Sequence, residues 1–371
     1  MPELWLKYGH TSVAVDIKYE NLLAHLCPVP STNYLSEQQI DDEVSSMDIS
    51  DNTILVVLSV SEAVLKMIEH ISQRAAMKNH ARVAFVSRSN SVKILKNTLR
   101  KQSYPVYGAT DASLFALLDK YKNMVCISQA RYDPLFGYGG TPTLLLRQFF
   151  PREMNEAFYS RSNNLPNPHK KLLPLEIALR TVDKLNATSI EVVGSPKIFS
   201  LHQGNISQSF LSATRTLDAG RENMPESSQI IFVSPSDDLE SHLTLSSSLY
   251  SLWNVMELVK NGGLAALLSE SNMGLGCEAL EMFIQDRLDI QTHLKGNLQY
   301  LEGLEHILFL NELGRDYHLG IISTLPEYYL VKLGFTTFKS SRDCYTRCLS
   351  KYGKSQRVLV ISGADIVSLT D

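Results

Sequence analysis

A surplus of either charge is missing from this 371-residue chain. Lys and Arg number 35 and Asp and Glu 39, for a formal net charge of −4. With no basic excess and no polybasic run, neither nucleic acid nor an anionic membrane surface is an expected partner. Long apolar runs are also missing. The longest, Leu264–Leu268, falls far short of the roughly 20 residues that cross a bilayer. The opening stretch MPELWLK carries charges where a signal peptide needs an apolar core. Cysteine is sparse: Cys27, Cys126, Cys277, Cys344 and Cys348 are scattered and odd in number. A reducing, cytoplasmic compartment is therefore expected. Cys344 and Cys348 stand one helical turn apart, but structural zinc would need two further ligands at suitable spacing. The ten histidines include no His-x-His or His-Glu-x-x-His, so spacing alone implies no metal site.

What remains is an ordinary globular composition, 44% hydrophobic and 20% charged. The length suits two domains, each with a substantial core. Leu4–Ile17 alternates as an antiparallel pair or edge, a loop follows at Cys27–Asn33, and Gln38–Asp51 is acidic and polar, as in a surface segment. Buried strands are expected at Ile54–Val60, Arg82–Ser87, Val106–Gly108 and Met124–Ser128. Helices alternate with them at Ala63–Ala76 (capped by Ser61), Ser91–Lys101 and Ala112–Tyr121 (capped by Asp111). Such alternation implies right-handed crossovers and a mainly parallel sheet flanked by helices. Gln129–Lys171 is Gly-, Pro- and Asn-rich at both ends, with a helical piece near Leu144–Tyr159. The pattern resumes with helix Leu175–Leu185, strand Ile190–Val193 and helix Gln208–Leu217.

The polar stretch Asp218–Ser228 is the expected hinge, dividing an α/β domain at 1–220 from a second at 228–371 with a ligand cleft between them. In the second, strands are expected at Ile230–Val233, Leu264–Ser269, Ile307–Leu310, Leu319–Ser323 and Arg357–Ile361. Helices are expected at Thr244–Lys260, Cys277–Leu288, Gln299–Leu304, Glu327–Leu333 and Ser341–Tyr352.

Four places carry residues suited to ligands. Gly137, Gly139, Gly140 and Thr141 follow a strand and precede a helix, where successive backbone N–H groups form an anion nest or simply a tight turn. No Gly-Lys-Ser/Thr follows, so this is not a P-loop. Glu270, Gly274 and Gly276 form a second loop of strand end, glycines and helix start, which lacks the third glycine of a dinucleotide fingerprint. Arg131 and Asp133 offer either a grip on a carboxylate or phosphate, or a local ion pair. His169, Lys170 and Lys171 offer a metal ligand, a covalent lysine or a phosphate contact, or else a solvated basic loop.

Val259–Phe283 reads as Gly-Gly turn, apolar strand, polar Gly-x-Gly loop and helix. With Leu4–Ile17 and the Gly-Tyr-Gly-Gly loop, it resembles the nickel-pincer lactate racemases, the 2-hydroxyacid racemase/epimerase family. The resemblance implies two α/β domains around a nickel-pincer nucleotide that removes and returns hydride at the substrate's α-carbon. The family's Asp-x-Thr-Arg falls on Ser59-Val60-Ser61-Glu62, its Gly-Thr-His-Arg on Val86-Ser87-Arg88-Ser89, and its Gly-Gly-Arg-Lys on Gly139-Gly140-Thr141-Pro142. Its Gln and Lys before the Gly-Gly turn fall near Ser247 and Tyr250. The lysine that tethers the pincer and the nickel-binding histidine have no clear counterpart, leaving His169, Lys170 and Lys171 as the nearest catalytic substitutes.

Two functions follow as expectations. One is a divergent racemase or epimerase of a small 2-hydroxy acid or other anionic metabolite. The other is a non-catalytic metabolite-binding or scaffold protein on the same fold. A His and a Lys converging on the Gly139–Thr141 loop would favour chemistry, and a cleft lined by Ser, Tyr and backbone would favour binding. A nucleotide-binding α/β protein is a third reading, resting on the glycine loops alone.

Overall fold

The computed structural model describes residues 3–27, 34–47, 49, 52–77, 82–89, 91–102, 104–219, 222–223, 225–238, 240–366 and 369–370. The loop expected at Cys27–Asn33 lies outside these residues after its first position, and the expected hinge lies partly outside them. The described part of that hinge holds a two-residue strand, Glu222–Asn223, parallel to Leu369–Thr370.

Two sheets flanked by helices form the fold. The first runs in the order Ser200–Asn205, Thr188–Val193, Asn123–Asp133, Thr53–Val57, Val83–Ser87, Val106–Gly108. Its first pair is antiparallel and the others are parallel. The central strands are runs of β-branched and apolar residues because helices cover both faces. The second sheet is parallel throughout, in the order Thr336–Thr337, His318–Ile322, Val259–Leu268, Ser228–Val233, Val358–Ile361, Leu22–Leu26.

Its last strand comes from the start of the chain. Leu22–Leu26 lies beside Val358–Ile361, and the antiparallel hairpin Glu3–Tyr8/Thr11–Asp16 packs Leu6, Val15 and Ile17 on Ile230, Phe232 and Val360. Residues expected with the first unit thus complete the second sheet. A further core joins the two halves, with Tyr132, Phe136 and Phe158 packed in one cluster with Trp253, Leu267 and Phe309.

Several expected elements take other forms. The polar segment Gln38–Asp51 contains helix Glu37–Ser46, opened by a capping box in which Ser36 and Gln39 satisfy each other's backbone N–H. The expected strand Ile307–Leu310 lies inside helix Leu304–Asp316, whose apolar run is buried on all sides. The helix expected over Thr244–Lys260 ends at Trp253, and strand Val259–Leu268 begins before the glycine pair. There Gly262 (φ +72°) lets the strand bulge against Ser228–Ile230. Ser200–Asn205 is an additional, mostly polar edge strand. Among the described residues no helix is long and apolar enough to cross a membrane.

Candidate functional site

The parallel strands Thr53–Val57 and Val83–Ser87 end at the same edge, and the chain just past them, Leu58–Val60 and Ser87–Arg88, lines a cleft of about 270 Å³. Arg131 and the helix residues Leu144, Arg147 and Gln148 continue this wall. The opposite wall comes from the second half: Glu240, Ser241, Leu243, Thr244, Ser246, Ser247, Tyr250, Met273, Gly276, Cys277, Glu302, Gly303, Glu305 and His306, among the described residues. Open α/β sheets bind ligands beyond the carboxyl ends of their strands, and this volume suits a small molecule. Of the positions on which the motifs of the resemblance fall, Ser59, Val60, Ser87, Arg88, Ser247 and Tyr250 line it, whereas Ser61, Glu62, Val86, Ser89 and Gly139–Pro142 are not among its described lining. A larger cavity, about 380 Å³, opens at the amino end of the first sheet, where Lys122, the one charged residue among its described lining, is exposed.

The cleft's charges are arranged unequally. Arg88 Nη1 donates to both carboxylate oxygens of Glu302 at 2.9 Å, tying the two walls together. Arg147 is almost enclosed, its side chain 10% exposed. Its guanidinium donates to Asp133 Oδ2 at 3.1 Å, to the Tyr300 hydroxyl at 2.9 Å and to Glu305. Burial alone would push the Glu305 carboxyl up, but Arg147 holds it below its ordinary value. Arg147 Nε has no hydrogen-bond partner among the described residues, nor has Gln148 Oε1 beside it. Arg131 sits over the Tyr250 ring, 4.8 Å from its centroid, with no carboxylate within ion-pair distance among the described residues. Burial raises the Glu240 carboxyl, opposed by the nearby Arg131 charge.

At the far end of the cleft, Trp253 Nε1–H donates to His306 Nδ1 at 2.9 Å. Burial pushes this imidazole down to about 4, so it is neutral near pH 7.

Of the residues singled out from sequence, Arg131 and Gly276 line this cleft. Arg131 and Asp133 do not pair. Asp133 Oδ1 instead accepts the N–H groups of Leu135 (2.8 Å) and Phe136 (3.0 Å), and its carboxylate holds Arg147. Gly137–Gly139 is a short strand folded back on Arg131–Asp133. At the bend that follows, the Thr141 N–H points at Glu191, 3.1 Å from Oε1, and Ser128 Oγ donates to Oε2 at 2.7 Å. Glu191 is fully buried, and burial pushes its carboxyl up to about 7 against these hydrogen bonds. Gly140 is required by proximity: a Cβ there would lie 2.8 Å from the Phe210 ring and 2.9 Å from Glu191 Oε2.

The other candidates lie elsewhere. The His169 N–H donates to the Gly137 carbonyl at 3.1 Å, its ring packs 3.9 Å from that of Tyr132, and Lys170 and Lys171 are exposed. None of the three lines the cleft among its described lining. A histidine and a lysine approach Gly137 through their backbones, while the Thr141 N–H faces Glu191. Glu270 lies beside Gly9 of the hairpin turn, and its carbonyl accepts from Thr324 Oγ1 at 2.7 Å. The carbonyls of Gly274 and Leu275 accept the N–H groups of Leu245 and Ser246, each at 3.0 Å, so this loop caps helix Leu245–Trp253.

Sequence reasoning missed Glu191, Arg147, Glu240, Glu302, Glu305 and His306. A readable signal existed for two of them: Arg147 and Glu305 interrupt apolar helical faces, where a charge needs a buried partner.

No protein-family model matches the chain, and no curated protein matches it. Solved structures do. The lactate racemase apoprotein from Thermoanaerobacterium thermosaccharolyticum superposes with a TM-score of 0.76 at 12% identity, covering 100% of both chains. A protein from Thermotoga maritima does so with a TM-score of 0.61 at 9% identity, covering 91% of this chain and 99% of its own. At such identities the likeness is one of fold: this chain has a lactate-racemase-like α/β fold.

Proposed function

We propose that this protein binds a small anionic metabolite in the cleft between its two sheets, anchored by Arg131. The observation that carries this reading is a guanidinium that lines the cleft without a carboxylate at ion-pair distance among the described residues. The remaining lining is rich in Ser, Thr and Tyr hydroxyls.

A racemase or epimerase acting on a 2-hydroxy acid has the fold likeness in its favour. The cleft residues do not fit the nickel-pincer nucleotide that this chemistry would use. Among the described lining residues there is no lysine, and the one histidine, His306, has its Nδ1 committed to Trp253. Among the described residues, no group of three or more His, Cys, Asp or Glu is placed to hold a metal ion. We therefore assign no step through that cofactor and no role in this cleft to His169, Lys170 or Lys171.

The test is calorimetric titration of the full chain with a panel of small mono- and dicarboxylates, repeated with Arg131→Ala. At least one acid should bind, and the substitution should weaken it by about tenfold or more, the worth of a charge-assisted contact. A panel that gives no binding, or equal binding to the variant, overturns the reading.

A further inference from the structure

Lys171, which has no place in the cleft, stands at a different opening. With the loop before it, it lines a cavity of about 240 Å³. Apart from Phe309 of the second half, the described lining of this cavity comes from residues 134–174, and it shares no described lining residue with the cleft. Its walls are apolar and its charges are of one sign. Leu135 and Phe309 are buried in the wall, and Leu165 and Leu173 are exposed beside them. Two cations, Arg161 and Lys171, are among the described lining, and no Asp or Glu is.

Arg161 is fixed in place without a counter-ion. Its Nε donates to Asn164 Oδ1 at 3.1 Å, its Nη1 donates to the Phe158 carbonyl at 2.7 Å, and the guanidinium lies 4.2 Å from the centroid of the Phe158 ring. Among the described residues its Nη2 makes no hydrogen bond and no carboxylate stands at ion-pair distance. Burial pulls this guanidinium below its ordinary value, and Glu305, whose charge reaches it, is committed to Arg147 and the Tyr300 hydroxyl. A cation partly removed from water is normally paired. The loop around it is braced as well: Asn163 Oδ1 accepts the Leu165 N–H at 2.9 Å and Asn167 Nδ2 at 3.0 Å, and the Asn167 N–H donates to the Pro134 carbonyl at 2.9 Å. Such a wall needs little further ordering to receive a ligand.

We infer that this cavity is a second ligand site, which takes a small amphipathic carboxylate: the carboxylate on Arg161 with Lys171 at the rim, and a short aliphatic chain against Leu135, Leu173 and Phe309. An uncharged apolar molecule would leave the cations without a partner, and an anion without a chain would leave the leucines in water. The volume lies below the roughly 300–1,000 Å³ of drug-sized sites, so a chain as short as that of hexanoate suits it. The inference does not depend on the role given to Arg131.

The experiment is calorimetric titration of the full chain with hexanoate, acetate and hexan-1-ol. Hexanoate should bind about tenfold or more tightly than either, since it alone carries both charge and chain. Arg161→Gln should weaken hexanoate by about tenfold. Leu173→Asp places a like charge at an exposed position, leaves the Phe158 and Asn164 contacts of Arg161 untouched, and should weaken hexanoate at least as much. Arg131→Ala should leave hexanoate affinity unchanged, which separates this site from the cleft. Absence of hexanoate binding, equal affinity for the three probes, or hexanoate affinity unchanged in Arg161→Gln or in Leu173→Asp overturns the inference. Hexanoate binding lost in Arg131→Ala alone also overturns it, and leaves the reading of the cleft standing.

Discussion

The Thr141 backbone N–H and the Glu191 carboxylate face each other at 3.1 Å inside the first half of the molecule. A glycine bend that could have received a ligand's anion receives the chain's own. Burial raises the Glu191 carboxyl from 4.5 to about 7, so the folded state holds this proton more firmly than the unfolded chain does. The sign follows: its contribution to stability is fully present below about pH 4.5 and is lost as pH rises through 7. At 1.36 kcal/mol per unit the effect is on the order of 3 kcal/mol. Urea unfolding between about pH 5 and pH 8 should show this decline, and Glu191→Gln should flatten it. Parallel profiles for the two proteins would refute the assignment.

Arg147 should be the most costly side chain of the cleft to remove. Arg147→Met leaves Asp133 and Glu305 facing each other's surroundings without their shared cation. Unpairing a buried charge costs about 3–5 kcal/mol. Chemical denaturation of the variant should show a loss of that size, and a loss under about 1 kcal/mol would mean that the network is solvated.

Gly276 combines a left-handed backbone (φ +84°) with close approach to the Thr244 and Ser246 side chains at the start of helix Leu245–Trp253. Gly276→Ala should destabilise the protein by about 1–3 kcal/mol. Gly274→Ala shares the positive φ but would project its methyl into open space, so it should cost less. Equal melting temperatures for the two variants would contradict this ranking.

Co-production with pincer biosynthesis enzymes gives a direct comparison with an authentic racemase. Intact mass should remain that of the unmodified chain and nickel should be substoichiometric. A covalent mass increase with stoichiometric nickel, lost in Lys170→Ala/Lys171→Ala, would reinstate the cofactor and those lysines.

The strands at the centre of the first sheet were legible because β-branched runs such as Thr53–Val57 admit few other structures. The same criterion misled at Ile307–Leu310, where four consecutive apolar residues are buried on every side of a helix and lose the 3.6-residue signature. Helix Glu37–Ser46 buries only Ile40 and Val44, so its readable sign was the Ser36/Gln39 cap rather than periodicity. Arg131 could be found because it stands at a strand end before a glycine-rich turn. Glu191 and His306 could not, since their roles depend on Thr141 and Trp253, which are distant in sequence and meet them only in the fold.

Strand Leu22–Leu26 has a consequence for the order in which this molecule can be made. It leaves the ribosome long before its neighbour Val358–Ile361 does. Until that late strand arrives, Leu22–Leu26 has no sheet to join, and the hairpin residues Leu6, Val15 and Ile17 have only part of the surface they cover. Closing so long a loop makes completion of the second sheet a late, high-contact-order event. The first sheet, drawn from one continuous stretch of chain, can assemble during synthesis, and the wall of the cleft that carries Arg131 would then precede the wall that carries His306.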